Sequence, residues 1–241
     1  MNRASGSRGT RVVQLVSDKP SLVVLVSGSG TNLQALIDAT GDGFGLPASC
    51  AEHERLYIHA TIVGVVSNRR DAYGLVRAQQ AGIATRTVSP RMGQTREDHD
   101  RRLRDAVDSF KPDWVVLAGY MRVLSMEFLG AYPGKVINLH PALPGELPGT
   151  DAVGRAFAEW QLGTRTRSGA MVHLVPDEAV DAGPVLGHVE VPFADGDTLE
   201  AFSIRMHKAE RTLLVSVVAN LVSASGVSPE RAGVPITGCV R

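Results

Sequence analysis

The chain has 241 residues, 44% of them hydrophobic, and 25 basic side chains balance 25 acidic ones. That length suits one sizeable α/β domain, or a domain with modest appendages, with enough apolar residues for a real core. The zero net charge gives no support to a nucleic-acid binder, although a local patch can hide under it. No run approaches the roughly 18 apolar residues of a membrane span. Cys50 and Cys239 lie far apart, so neither a disulfide framework nor a zinc site is expected, and a reducing cytoplasm is the expected location.

Residues 1–20 read as a poorly ordered tail that lacks the continuous apolar stretch of a secretory signal, with residues 12–16 able to add a short strand. Leu22-Val23-Val24-Leu25-Val26 is a continuous apolar run, the mark of a strand buried on both faces. A glycine turn, Ser27-Gly28-Ser29-Gly30-Thr31-Asn32, follows, and then Leu33, Leu36 and Ile37 recur at helical spacing. Residues 41–59 form a weakly patterned insertion that reads as a surface loop. Strand 61–66, helix 71–81, strand 83–88 and a strongly charged helix 95–110 come next, followed by strands 114–118 and 135–139. Two further strands are expected at 170–175 and 185–191, then a long amphipathic helix at 198–224. The tail 225–241 is punctuated by Gly and Pro, with a short strand at 234–237. Strands alternating with helices imply an α/β fold with a doubly wound, mostly parallel sheet and right-handed crossovers. The expected organisation is one domain over 21–224 between an N-terminal tail, 1–20, and a C-terminal extension, 225–241.

Four segments carry chemistry. In Lys135-Val136-Ile137-Asn138-Leu139-His140-Pro141 a strand ends in an amide and an imidazole two residues apart, so both should share a face. That pairs a neutral hydrogen-bond donor with an acid/base near neutral pH, at a strand end where α/β enzymes place chemistry. A lone buried histidine satisfied by its neighbours would look the same. The glycine turn offers consecutive N–H groups to an anion. Gly28 and Gly30 fit a dinucleotide fingerprint, but Leu33 stands where its third glycine belongs and no P-loop lysine is present. The turn therefore suits a phosphate monoester, or it is simply a tight turn with Thr31 as helix cap. Asp181 lies in a loop of carboxylates, Gly and Pro (residues 177–185). It can hold the tautomer of His140 and raise its pKa if the loop folds back; otherwise the loop is an acidic solvated surface. Leu117 to Leu124 can line a slot for a flat ring with backbone groups, or pack as an ordinary strand-to-helix turn.

Taken in order, these residues resemble the folate-dependent phosphoribosylglycinamide formyltransferase family. The resemblance rests on Val24 to Gln34, Ser67-Asn68-Arg69 with Ala72-Tyr73-Gly74, Leu117 to Leu124, Ile137 to Leu143 and Val180-Asp181-Ala182-Gly183-Pro184, and spans about residues 22–220. It implies a Rossmann-like formyltransferase fold. It also implies transfer of a formyl group from 10-formyltetrahydrofolate, a co-substrate, to the amine of glycinamide ribonucleotide in purine (IMP) synthesis. By the same resemblance Asn138, His140 and Asp181 match the catalytic trio. Gly30, Thr31, Asn32 and Glu210 match positions that bind the ribonucleotide. Arg96, Met121, Arg122, Val123, Leu124 and Asn138 match folate-binding positions, with Pro176, Asp177, Glu178, Ala179, Val180 and Asp181 as the loop over the pterin.

The implied chemistry needs no protein nucleophile and no metal, because the substrate amine attacks the formyl carbon directly. Asn138 and a protonated His140 would donate to the developing oxyanion, with Asp181 keeping His140 charged. His140 or a water would then pass a proton to the departing folate nitrogen. One departure stands out. After His140 the family pattern has Pro, a small residue, two leucines and Pro; here Pro141-Ala142-Leu143-Pro144-Gly145 puts proline at the second leucine. This alters the loop's backbone preferences more than the trio. Thr150-Asp151-Ala152-Val153 also lacks the histidines common in relatives.

Two other formyl-handling enzymes fit less well. A methionyl-tRNA formyltransferase would need about a hundred more C-terminal residues, and a formyltetrahydrofolate deformylase an N-terminal domain before Leu22. A nicotinamide oxidoreductase would need the third glycine and an acidic end to the second strand, where Ser67-Asn68-Arg69 stands. A non-catalytic relative would be expected to lose part of the trio. The expected partners are small-molecule substrates, without nucleic acid or membrane, and the charged third helix or the long last helix can support a homodimer.

Overall fold

The computed structural model describes residues 19–41, 57–224 and 236–239. The expected strand at 12–16, most of the 41–59 insertion and residues 234–235 lie outside the described residues. In chain order the elements are β1 (Ser21–Val26), α1 (Thr31–Thr40), β2 (Thr61–Ser67), α2 (Tyr73–Gln80), β3 (Thr85–Thr87), α3 (Arg96–Asp108) and β4 (Trp114–Leu117). They continue with α4 (Met126–Leu129), β5 (Val136–His140), α5 (Ala152–Gln161), β6 (Gly169–Leu174), β7 (Val185–Glu190), α6 (Leu199–Ala224) and β8 (Ile236–Cys239).

These strands form one sheet in the order β3-β2-β1-β4-β5-β6-β7-β8. The pairs from β3 to β5 are parallel, as is β7 with β8, whereas β6 runs antiparallel to both its neighbours. The mostly parallel, doubly wound sheet expected from sequence is thus observed. The apolar run of β1 lies near the sheet's middle, buried from Leu22 to Val26. Its side chains alternate between faces, as a strand requires. Leu22, Val24 and Val26 pack with α1 and α6 residues such as Leu33 and Met206, and Val23 and Leu25 pack with Leu103 and Phe128. The chain winds outward from β1 to β3, then returns to β4 on the other flank of β1. The reversal opens a crevice beyond the carboxyl ends of β1 and β4, the usual ligand position in such sheets.

Several details differ from the sequence expectation. The third strand is only Thr85–Thr87, because the Ile83 N–H is taken by the Ala78 carbonyl at 2.8 Å as α2 closes. The last strand is described over Ile236–Cys239, overlapping the expected 234–237, and pairs parallel to β7. Helices α4 and α5 were not expected. Gly154 and the Pro/Gly-rich stretch before it hide the pattern of α5, which is held by Phe157 against Phe202 and Trp160 stacked on Phe193. No helix among the described residues is long and apolar enough to cross a membrane.

Helix α3 matters for the site because it carries Arg96 in its first turn. Thr95 caps it, its Oγ1 accepting from the Asp98 N–H at 3.1 Å, with Glu97 and Asp98 placed favourably for the helix dipole. Thr95→Ala should lower the unfolding free energy by about 1 kcal/mol. A urea titration would show this as an earlier midpoint at unchanged slope.

Candidate active site

Asn138 and His140 lie on the face of β5 opposite Ile137 and Leu139, as the two-residue spacing requires. The 176–181 loop folds back over the strand end and brings Asp181 to both. Asp181 Oδ1 accepts from Asn138 Nδ2 at 3.0 Å, and Oδ2 lies 3.3 Å from His140 Nδ1. The Gly149 N–H donates to the same Oδ2 at 2.8 Å. Asp181 itself adopts φ 53, a left-handed conformation that few non-glycine residues take. The trio therefore comes from two segments, the β5 end and the loop before β7, with the loop after β5 adding the Gly149 N–H that holds Asp181.

One member of this cluster was not picked out from sequence. His173, 1% exposed, stands opposite Asn138 in the β5–β6 register. Its Nδ1 lies 2.8 Å from its neighbour's carbonyl at Leu174, and its Nε2 lies 3.2 Å from Asn138 Nδ2 and 3.5 Å from Asp181 Oδ1. With Nδ1 donating, Nε2 accepts from the amide; a charged ring would donate to Asp181 instead. Nothing local in the sequence marks His173, because only the antiparallel register places it there.

The electrostatics correct one expectation. His140 is 4% exposed, and burial pulls its pKa below the ordinary histidine value, outweighing the opposing pull of the Asp181 charge and the Leu147 carbonyl. The Asp181 charge is therefore not enough to raise the ring above its ordinary value. Burial also pushes the Asp181 carboxyl up, but hydrogen bonds from His173 and the Gly149 N–H, with the nearby imidazoles, hold it below the usual range. A second correction concerns the open side of the ring. His140 Nε2 lies 3.0 Å from the Leu147 carbonyl oxygen, which also accepts from Arg155 at 2.9 Å. Neither Asn138 nor His140 therefore faces an open point: both are engaged by protein acceptors. Leu147, at φ 45, belongs to the loop in which Pro144 departs from the family pattern.

Beside the trio is a cleft of about 220 Å³, lined by Gly119 to Leu124, the β5 end, Gly149 to Ala152 and Asp177 to Asp181. Met121, Val123 and Val180 are exposed apolar side chains at its mouth, whereas Leu124 is buried in the core. Arg122 lines the cleft with an Nε that has no partner among the described residues. Of the loop residues, Ala179 donates to the Asp177 carboxylate at 2.9 Å, and Pro176 sits at the loop's base near Gly183. Arg96, the expected folate-side arginine, meets the 176–181 loop. Its guanidinium is bridged to Glu178, whose other oxygen accepts from the Met126 N–H at 2.9 Å.

The glycine turn stands at the neighbouring strand end. Gly30 adopts φ 71 and a Cβ there would lie 2.5 Å from the Gly74 Cα, so glycine is needed both for the turn and for this close approach. Gly30, not Thr31, is the N-cap residue, and no side chain caps the helix. The N–H groups of Thr31 and Asn32 thus have no intrahelical acceptor, and the buried Asn32 Oδ1 has no partner among the described residues. Ser27 ties this turn to the cleft: its N–H bonds the Gly119 carbonyl at 3.0 Å and its Oγ accepts from Met121 N at 2.8 Å. Glu210 does not line the cleft. It is buried on α6, which packs on α1, and its carboxylate meets His207 Nδ1 at 2.6 Å, raising that imidazole's pKa.

A doubly wound sheet with an amide, an imidazole and a carboxylate beside a cleft, next to a glycine turn with free helix N–H groups, fits an α/β group-transfer enzyme. The formyl transferase family model matches residues 20–218. A phosphoribosylglycinamide formyltransferase of Schizosaccharomyces pombe is 40% identical over 84% of this chain and 97% of its own length; that of Escherichia coli is 38% identical over 83% and 85%. The solved glycinamide ribonucleotide transformylase 1 of Symbiobacterium toebii superposes with a TM-score of 0.73 at 32% identity, covering 86% of this chain and 89% of that one. The chain belongs to the formyl transferase family, in its phosphoribosylglycinamide formyltransferase branch.

Proposed function

We propose that this enzyme transfers the formyl group of 10-formyltetrahydrofolate to the amine of glycinamide ribonucleotide, giving formylglycinamide ribonucleotide. The observation that carries the reading is the single Asp181 carboxylate shared by Asn138 and His140 at a strand end. The ribonucleotide phosphate would sit on the Gly30-Thr31-Asn32 turn, with Glu210 toward the ribose, and the folate ring against Met121 to Leu124 and the 176–181 loop. Residues 21–224 would form the single catalytic domain, in the cytoplasm. A homodimer through α3 or α6 is the natural assembly to test by sedimentation.

The depressed pKa of His140 reshapes the chemistry. Burial favours the neutral ring, which carries one N–H; with that proton on Nδ1 toward Asp181, Nε2 is left as the proton acceptor. The substrate amine attacks the formyl carbon, the C=O pair moves onto oxygen, and His140 takes the amine proton. The imidazolium so formed is stabilised by Asp181, and Asn138 donates to the oxyanion. When the carbonyl re-forms, the bond to the folate nitrogen breaks and the proton passes to that nitrogen. Both groups must first be freed: the Leu147 carbonyl, itself an acceptor 3.0 Å from Nε2, has to move aside before the neutral ring can take a proton there, and Asn138 gives up His173. The test is an absorbance assay of formyl transfer from a 10-formyl folate analogue to glycinamide ribonucleotide. Turnover that requires both substrates is expected, and an inactive wild-type enzyme would overturn the reading.

A further inference from the structure

The 121–125 segment is stretched between two anchors. At one end the Ser27 hydroxyl accepts from the Met121 N–H at 2.8 Å. At the other, Asp100 Oδ2 accepts from the Ser125 N–H at 2.6 Å. Asp100 is wholly buried on α3, and its Oδ1 lies 2.9 Å from Nδ1 of the equally buried His99. His99 Nε2 lies in turn 2.9 Å from the Val88 carbonyl, so each ring nitrogen faces an acceptor. Burial first, and the Asp100 charge second, hold the neighbouring Tyr120 hydroxyl well above the usual phenol pKa, so that charge is felt along the start of the segment as well. Between the anchors, the backbone N–H and C=O groups of Arg122, Val123 and Leu124 make no backbone hydrogen bond among the described residues. They border the cleft.

A carboxylate in a dry core is costly unless its oxygens are satisfied. A simple core position would be filled better by an apolar side chain. Here the carboxylate fixes a cleft-lining backbone that no regular secondary structure holds. We propose that Asp100, oriented by His99, is a positioning residue for the formyl donor: it sets the 121–125 segment so that the open backbone groups of 122–124 can read the edge of a flat heterocycle. The inference rests on the donor reading above and deepens it.

The experiment compares wild type with Asp100→Asn, which keeps the shape and one acceptor oxygen, and with His99→Gln, which leaves Asp100 in place but loosens it. Each is assayed for KM toward both substrates and for kcat, and titrated at equilibrium with a non-reactive 10-substituted folate analogue. Asp100→Asn should raise the donor KM and the analogue Kd about tenfold, the scale of one weakened charge-assisted hydrogen bond. His99→Gln should move both the same way by less, with kcat and the ribonucleotide KM within about twofold of wild type at saturating donor. A general loss of structure would lower kcat and disturb both substrates together. If Asp100→Asn does not fold, His99→Gln alone decides. Analogue binding unchanged in the folded variants overturns the positioning role, whereas a wild type that does not bind the analogue overturns the donor reading itself.

Discussion

His140→Ala should lower kcat about 10²- to 10⁴-fold, the range for removal of a positioned acid/base. The change deletes the proton acceptor and leaves Asp181 without the imidazole 3.3 Å away, while Asn138 and Gly149 still hold the carboxylate in place. Wild-type kcat/KM should rise with pH through a midpoint below about 6.5, the unperturbed histidine value, because burial depresses the free-enzyme pKa. Asp181→Asn removes an anion that favours the charged ring, so its midpoint should move lower still, together with a loss of kcat of similar size. Stability carries the same signature. His140 binds its proton less readily folded than unfolded, so its contribution is fully present above about 6.5. It is lost as pH falls through that value, because the unfolded chain protonates first. Full turnover in His140→Ala would remove the histidine from the mechanism. A midpoint that rises in Asp181→Asn would reverse the electrostatic argument.

What sequence could and could not show follows from the range of each interaction. Asn138 and His140 were legible together because a strand's two-residue period is local and strict. The β1 run and its glycine turn were legible because an unbroken apolar stretch ending in glycines is also a local signal. Asp181, far along the chain, was placed by family resemblance, and its φ of 53 shows how much the loop must bend to deliver it. His173 stayed hidden because its partner is set by an antiparallel register across α5, and α5 itself was masked by the prolines and glycines before it. The Leu147 carbonyl on His140 is a backbone group, and any residue could supply it. The direction of the His140 shift was misjudged because a partner charge can be inferred from sequence, whereas the depth of burial that overrides it depends on the packed loop.

That loop leads to the second large effect. Gly183→Ala should cost catalysis as heavily as losing Asp181, without touching a catalytic side chain. A Cβ at 183 would lie 1.8 Å from the Leu174 carbonyl oxygen and 2.9 Å from Pro176 Cδ, and a backbone carbonyl cannot swing aside as a side chain can. The same carbonyl lies 2.8 Å from His173 Nδ1, and the Leu174 N–H bonds the Pro184 carbonyl at 2.8 Å. The base of the loop must open, carrying Asp181 from Asn138 and Gly149 and releasing the ring of His173. Overpacking of this kind costs about 1–3 kcal/mol of stability, and kcat should fall about 10²- to 10⁴-fold as the orienting carboxylate leaves the imidazole. Gly41→Ala, whose Cβ would meet only the Ile37 carbonyl at 3.5 Å, should stay within about 0.5 kcal/mol of wild type. The two variants differ in steric room and not in residue type, so the comparison isolates the loop. Near-normal turnover in a folded Gly183→Ala would mean that Asp181 acts without being held where the loop places it.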